Sequence, residues 1–375
     1  MSADDSIASY SDFINEFEQA DKIIVFYHDY CPDAITSLWC LYSGFRNGFI
    51  PRGVSDRCKI IDEDLELVEG KEVYMIDFTF NYEIMRKIAD LSSKLTIIDH
   101  HISSKKDIEK LQNDTKDNEN AENKKIKVIF DVEKCAAELC WDFAHSLYKH
   151  RPWFIDIVAQ RDLWKWKDED SKMISKGLFC SNYFGGAVEA GKQKTEAERL
   201  SNAFEKLYGA CGFKIEHHFV EDDSGITIDE EFVAKLREEL RKIGADAITA
   251  EEKEIDDILQ NGKKCSFEMV DKNGDPFYSA IAYLLTGKRK YRSDACNKAC
   301  EKFGCDFAVF YNFDEKEQTW NLAMRCLDES RADLLRIGKY INPTPGASGG
   351  HKKAAGTCIV GTEEDLFTVF KKLTG

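Results

Sequence analysis

The chain has 375 residues, 43% hydrophobic and 32% charged, and its 52 Lys and Arg against 68 Asp and Glu leave a net charge of −16. That length implies two domains, with enough apolar material for a core in each. The acidity opposes stable binding to long duplex DNA, and no stretch approaches the ~18 consecutive apolar residues of a membrane span.

Lys22 to Tyr27 (KIIVFY) is a continuous apolar run between polar residues, the pattern of a strand covered on both faces. It leads into His28-Asp29-Tyr30-Cys31-Pro32-Asp33-Ala34, and Ile35 to Phe45 then has helical spacing. Cys58 to Ile61 reads as a second strand. Val73 to Ile76 reads as a third, ending at Asp77, with a helix from Tyr82 to Leu91 behind it. Leu95 to Ile98 is a fourth strand and runs directly into Asp99-His100-His101. Ser104 to Lys125 holds few apolar residues beyond Ile108 and Leu111, and reads as a solvated insertion without a fold of its own.

Ile126 to Phe130 is a fifth strand, after which Asp131 is expected to open a helix whose apolar stripe is Val132, Ala136, Leu139, Phe143 and Leu147. Phe154 to Trp164 reads as a helix and turn that present Asp162. Strand and helix alternate throughout this half, which implies right-handed crossovers and a mostly parallel sheet flanked by helices. The strand ends carrying His28, Asp33, Asp77, Asp99 and His100 then open on one edge, where such sheets bind ligands.

Residues 186–262 are Glu- and Lys-rich with helical periodicity and read as a helical linker. From Cys265 the pattern becomes mixed: strands at Cys265 to Val270 and Phe277 to Leu285, a helix at Tyr291 to Phe303, and a hairpin from Asp306 to Phe313 and Thr319 to Cys326. Ser330 is expected to cap a helix through Leu334 and Ile337, and a strand (Thr357 to Val360) and helix (Glu363 to Lys372) close the chain. The expected organisation is therefore a catalytic α/β domain over 1–185, with the polar insertion at 104–125, a linker over 186–262 and a smaller mixed α/β domain over 263–375.

Carboxylate and imidazole together form the ligand set of divalent cations that activate water. An isolated Asp-His-His is a weak sign of such a site. Here it stands with His28-x-x-x-x-Asp33, Asp77 at a strand end, Asp162 in Arg161-Asp162-Leu163-Trp164, and Gly349-Gly350-His351-x-x-Ala354-Ala355-Gly356. Together these motifs, spread over both ends of the chain, resemble the DHH phosphoesterase superfamily and its C-terminal associated domain.

The resemblance implies two divalent cations, Mn2+ first, with Mg2+ or Co2+ as alternatives. It gives His28 to one metal, Asp33 to the other, and Asp77 to both, with His100 and Asp162 completing the second. Asp99 orients a histidine or water, and His101 faces the substrate phosphate, so these two are the catalytic candidates. Arg325, Gly349, Gly350 and His351 take the substrate-binding positions. The chain departs from the pattern at Cys31, where many members carry an acid, and at Ala34, where Gly is usual. Cys31 softens the first metal's ligand set, and Asp29 is a candidate replacement.

The expected activity is hydrolysis of phosphoester bonds in short oligonucleotides or small nucleotides. The alternatives are a nucleotide- or nucleic-acid-binding protein on the same fold with weakened catalysis, and an exopolyphosphatase. Phe78, Phe80, Trp164 and Trp166 are candidates to stack a base, although such residues more often belong to a core. Thirteen cysteines without regular spacing, and a polar, acidic Met1 to Asp21, point to free thiols in a reducing, cytoplasmic compartment.

Overall fold

The computed structural model describes residues 22–45, 48–54, 57–116, 125–146, 150–185, 195–212 and 228–372. The chain divides into two compact units, Met1–Ile248 and Thr249–Gly375.

The first unit is built on five parallel strands: β1 (Ile23–His28), β2 (Ile50–Val54), β3 (Glu72–Ile76), β4 (Lys94–Asp99) and β5 (Ile126–Phe130). Their spatial order is β2-β1-β3-β4-β5. β2 thus lies to one side of β1, and every later strand to the other. Connections leave β1 and β3 towards opposite faces, which opens a crevice at their carboxyl ends. Both faces are covered. Val25 and Tyr27 join a core with α1 (Pro32–Gly44), while the alternate residues Ile24 and Phe26 join a second core with α3 (Tyr82–Leu91). Burial on both faces is why β1, β3 and β4 appear in the sequence as unbroken apolar runs.

Several local expectations change. The strand expected at Cys58 to Ile61 is a turn followed by irregular chain leading into the short helix α2 (Asp62–Leu67), and the second strand is Ile50–Val54 instead. Pro51 and Gly53 hide that strand from a propensity reading. They are tolerated because β2 is an edge strand bonded only to β1. The stretch read as a solvated insertion contains α4 (Lys105–Lys116). Its two apolar residues, Ile108 and Leu111, stand three apart on one helical face and are buried in the α3-side core. Residues 117–124 lie outside the described residues.

Asp131 does not begin the next helix, because its Oδ1 accepts the Glu133 N–H at 2.9 Å in a local turn. Helix α5 (Ala136–Ala144) starts after Cys135, whose own N–H is taken by Glu138 Oε2 at 3.2 Å, and Val132 is left exposed. Leu147 falls outside the described residues. α6 (Trp153–Asp162) and α7 (Glu169–Cys180) follow. The stretch read as a linker contains α8 (Glu196–Ala210), which buries Leu200, Ala203, Phe204 and Leu207 in the α1-side core, and the 31-residue α9 (Glu230–Gln260). Residues 186–194 and 213–227 lie outside the described residues.

The second unit holds a seven-stranded mixed sheet in the order β10-β11-β9-β8-β7-β6-β12. Its strands are β6 (Lys263–Val270), β7 (Pro276–Leu285), β8 (Phe307–Asp314), β9 (Thr319–Arg325), β10 (Gly349–Gly350), β11 (Ala354–Val360) and β12 (Phe370–Lys372). Only β7 and β8 pair in parallel, joined through a 3-10 turn and α10 (Arg292–Phe303), and β8 and β9 form the expected hairpin. Asp333, not Ser330, caps α11 (Leu334–Ile341) by accepting the Arg336 N–H at 3.1 Å, while the Ser330 N–H goes to Asp328. α12 (Glu363–Val369) ends where Phe370, fully buried, turns into β12 and packs on Phe267 of β6 with ring centroids 5.6 Å apart. Among the described residues no helix is long and apolar enough to cross a membrane, and all thirteen cysteines are free thiols.

Candidate metal centre

The carboxyl ends of β1, β3 and β4 bring three of the sequence motifs into the crevice beside the β1/β3 division, and the end of α6 adds a fourth, Asp162. His28 is the last residue of β1 and Asp77 follows β3 directly; His28 Nδ1 lies 3.7 Å from Asp77 Oδ2. Asp99 closes β4 and His100 follows it, fully buried. His100 Nε2 is 3.1 Å from Asp77 Oδ1, 3.5 Å from Asp162 Oδ2 and 3.6 Å from Asp33 Oδ2. One ring nitrogen therefore faces three carboxylates from three separate elements.

Asp33 has a second attachment. It sits in the first turn of α1 and is almost fully buried, and its Oδ2 and Oδ1 accept the Ala136 and Ala137 N–H groups at 2.7 and 2.8 Å. Those amides are two of the unsatisfied donors that open α5, so one carboxylate caps a helix and faces the site at once. Asp99 is held in the same way: its Oδ1 accepts the backbone N–H of His100 at 2.8 Å and of His101 at 3.2 Å, and lies 2.8 Å from His101 Nδ1.

Backbone strain gathers around the site. Five described non-glycine residues have positive φ, and three of them, Tyr30, Asp77 and Trp164, lie in the loops that carry these side chains.

The charges are poorly compensated. Burial raises Asp33, and the neighbouring charges of Asp77 and Asp162 add to it, taking the carboxyl to about 8. Burial likewise raises Asp162. Burial also acts on Asp77, but the hydrogen bond with His100 and the nearby imidazoles of His28 and His101 outweigh it and hold that carboxyl well below the usual range. Asp99, buried yet paired with His101, falls to about 2. Burial works against a charged His100, but Asp77 and the surrounding aspartates overcome it and lift the imidazole to about 10. His101 is raised against its own burial by Asp99.

The arrangement fits divalent cations. The Oδ2 atoms of Asp77, Asp99 and Asp162 are buried and accept no hydrogen bond, a costly state for carboxylate oxygens unless a cation meets them. Among the described residues of the first unit, three groups set their ligand atoms within 4.8 Å of one another: His28, Cys31 and Asp77; Asp33, Asp77 and His100; and Asp77, Asp99 and His101. Asp77 belongs to all three. Cys31, half-buried at the N-cap of α1, stands with His28, and burial together with Asp77, Asp162 and Asp33 pushes its thiol well up.

Asp29 faces elsewhere. Its Oδ1 accepts the Tyr30 N–H at 2.9 Å and pairs with Arg199 Nη2 at 2.5 Å. Arg199 also donates to Tyr27 Oη, and Glu196 Oε1 accepts from Tyr27 Oη at 2.7 Å and from the Gly53 N–H at 2.8 Å. This network ties the His28–Cys31 loop to α8. No local pattern marks Glu196 or Arg199, because their partners lie more than 140 residues away in sequence.

Phe78 and Phe80 are core residues of the α3 face rather than exposed stacking surfaces, whereas Trp164 and Trp166 are half-buried with ring centroids 5.6 Å apart. In the second unit, Arg325 ends β9 and donates to Ser293 Oγ at 3.0 Å. Gly349 and Gly350 pair with Gly356 and Ala355 across a tight hairpin, and the His351 N–H donates to Ala354 O at 2.7 Å. Gly350 has φ +113, and a Cβ there would meet Ala354 O at 2.3 Å, so the hairpin requires glycine.

No family model matches the sequence. Uncharacterized protein R106 of Acanthamoeba polyphaga mimivirus is 26% identical over 166 residues, covering 41% of this chain and 36% of that relative. Among solved structures, the pGpG-specific phosphodiesterase PggH from Vibrio cholerae overlaps with TM-score 0.43 and 13% identity over 92% of this chain and 96% of its own. RecJ in complex with Mn2+ from Thermus thermophilus overlaps with TM-score 0.42 and 15% identity, over 96% of this chain and 52% of its own. CDC45 from Entamoeba histolytica gives TM-score 0.41 and 11% identity over 96% of each chain. Overlaps this low leave the chemistry of the site to be read from its own residues.

Proposed function

We propose that this chain is a metal-dependent phosphoesterase of the DHH type, acting on short oligonucleotides or small nucleotides in a reducing, cytoplasmic setting. The observation that carries the reading is the sharing of Asp77 among three ligand groups, with its buried Oδ2 accepting no hydrogen bond. Divalent cations in such a site, Mn2+ foremost, supply Lewis-acid activation of water and of a phosphoryl oxygen.

The chain's own residues divide the remaining work. His28 and Asp77 would hold one cation, and Asp33, His100 and Asp162 would hold the other together with Asp77. Asp99 fixes the ring of His101 through Nδ1, so proton exchange with the substrate runs through Nε2. Asp33, anchored on the start of α5, keeps its oxygens in place without relying on the cation. Arg325, Gly349, Gly350 and His351 take the substrate-binding role that the sequence resemblance gives them. The net charge of −16 favours a short substrate, whose few phosphates are met locally, over a long polyanion.

The test is Mn2+-dependent hydrolysis of a 5′-phosphorylated dinucleotide beside a long single strand, a cyclic dinucleotide, adenosine 3′,5′-bisphosphate and polyphosphate, with Asp77→Asn as the blank. Cleavage confined to the short nucleotides is expected. Bound Mn2+ without cleavage above the blank would favour the nucleotide-binding reading that Cys31 suggests, and phosphate release from polyphosphate alone would favour an exopolyphosphatase.

A pH dependence follows from the same cluster. With Asp33 at about 8 and His100 at about 10, the metal-free site holds extra protons at neutral pH. Ligation needs the carboxylate and the neutral imidazole, so binding releases protons and affinity climbs as pH rises from 6 towards 8. Calorimetry of Mn2+ binding in two buffers of different ionisation enthalpy should show net proton release at neutral pH. Proton uptake, or binding that weakens across that pH range, would contradict the charge balance described.

A further inference from the structure

We infer that Cys31 Sγ is a ligand of the first cation, together with His28 and Asp77, and that this site selects thiophilic divalent ions such as Co2+, Zn2+ or Cd2+ over Mn2+ and Mg2+. This rests on the metal-site reading above and goes beyond it in naming the ligand and the class of ion.

Three observations carry it. The ligand atoms of His28, Cys31 and Asp77 lie within 4.8 Å of one another, a spacing one ion can bridge. Asp77, 1% exposed, sets 3.7 Å from His28 Nδ1 an Oδ2 that accepts no hydrogen bond. Asp29, the alternative acid in this loop, pairs through Oδ1 with Arg199 and the Tyr30 N–H and belongs to none of the candidate groups among the described residues.

On ligation the Cys31 thiol proton passes to solvent, and the thiolate supplies the electron pair. A His, thiolate and carboxylate set is softer than a set of oxygens and imidazoles, and softness is what separates Co2+, Zn2+ and Cd2+ from Mn2+ and Mg2+. The second group, Asp33, Asp77 and His100, holds no sulfur and keeps the harder preference.

The test uses the full chain loaded with Co2+ alone. The wild type should show a near-ultraviolet thiolate-to-cobalt charge-transfer band. Cys31→Ser and Cys31→Asp should both lack it, and Cys31→Asp should still bind cobalt by calorimetry. Both variants are expected to fold, since Ser and Asp are preferred helix N-caps, and a cooperative melt checks this. The preference for Cd2+ over Mn2+ should fall about tenfold or more in Cys31→Asp.

A band that persists in both variants would place the thiolate on another cysteine and overturn the proposal. So would cobalt binding by the wild type without a band, or an unchanged Cd2+ to Mn2+ ratio. The spectrum is read without substrate, so it separates the two conclusions. A Cys31-dependent band with no hydrolysis removes the phosphoesterase and leaves the ligand, and hydrolysis without the band does the reverse.

Discussion

Asp77→Asn is expected to lower metal-dependent hydrolysis by about a thousandfold or more while leaving the fold intact. The size of the effect follows from geometry. Asp77 is the only residue common to the three ligand groups of the first unit, and it faces His28 through one oxygen and His100 through the other. Under the proposed two-cation reading, losing one carboxylate would weaken both sites together, where loss of His28 or Asp162 would touch one.

Asparagine is the right replacement because Asp77 has φ +51, a conformation that Asn and Asp adopt more readily than other side chains and that would strain an alanine. An amide also keeps the shape of the buried pocket and removes only the charge. The check is kcat/KM for the dinucleotide, with melting temperatures measured in chelator and in excess Mn2+. Added Mn2+ should raise the melting temperature of the wild type and raise that of the variant less, since ligand that binds only the folded state stabilises it. Turnover within about tenfold of wild type, with Mn2+ bound, would remove Asp77 from the centre of the site.

Gly244→Ala is expected to destabilise the first unit by about 1–3 kcal/mol or more, although alanine is the better helix former. α7 and α9 approach through a pair of glycines. A Cβ on Gly244 would stand 1.8 Å from Met173 O, and one on Gly177 would stand 2.0 Å from Leu240 O. Both obstacles are backbone atoms, so no rotamer change relieves them and the helices must separate.

Gly209, exposed in α8 with nothing within 4 Å of its ideal Cβ, is the control. There the same substitution should stabilise by about 0.5–1 kcal/mol, through helix propensity and a less flexible unfolded chain. The denaturant midpoint should fall for Gly244→Ala and rise for Gly209→Ala, with the slope unchanged in both. A neutral Gly244→Ala would mean that α7 and α9 are not in backbone contact.

The pieces governed by local rules could be read from the sequence unaided. β1, β3 and β4 were legible because strands buried on both faces must be unbroken apolar runs, and the residues ending them, His28, Asp77 and Asp99, stood out as polar groups against those runs. Alternation of strand and helix was enough to imply a parallel sheet, and therefore one edge on which those ends gather.

The edge strand β2 was not legible, since Pro51 and Gly53 carry no strand signal and only pairing with β1 holds them extended. Nor was α4, whose two apolar residues look incidental until the α3-side core receives them. Tertiary structure also decided what each acid of the first motif does. Asp33 reaches the first turn of α5 more than 100 residues away, Asp29 turns to Arg199, and Cys31 is left beside His28 and Asp77. Periodicity and capping act over a few residues and are written in local sequence. Which buried carboxylate meets an amide, a guanidinium or a cation is settled by charge and desolvation among groups that only packing brings together.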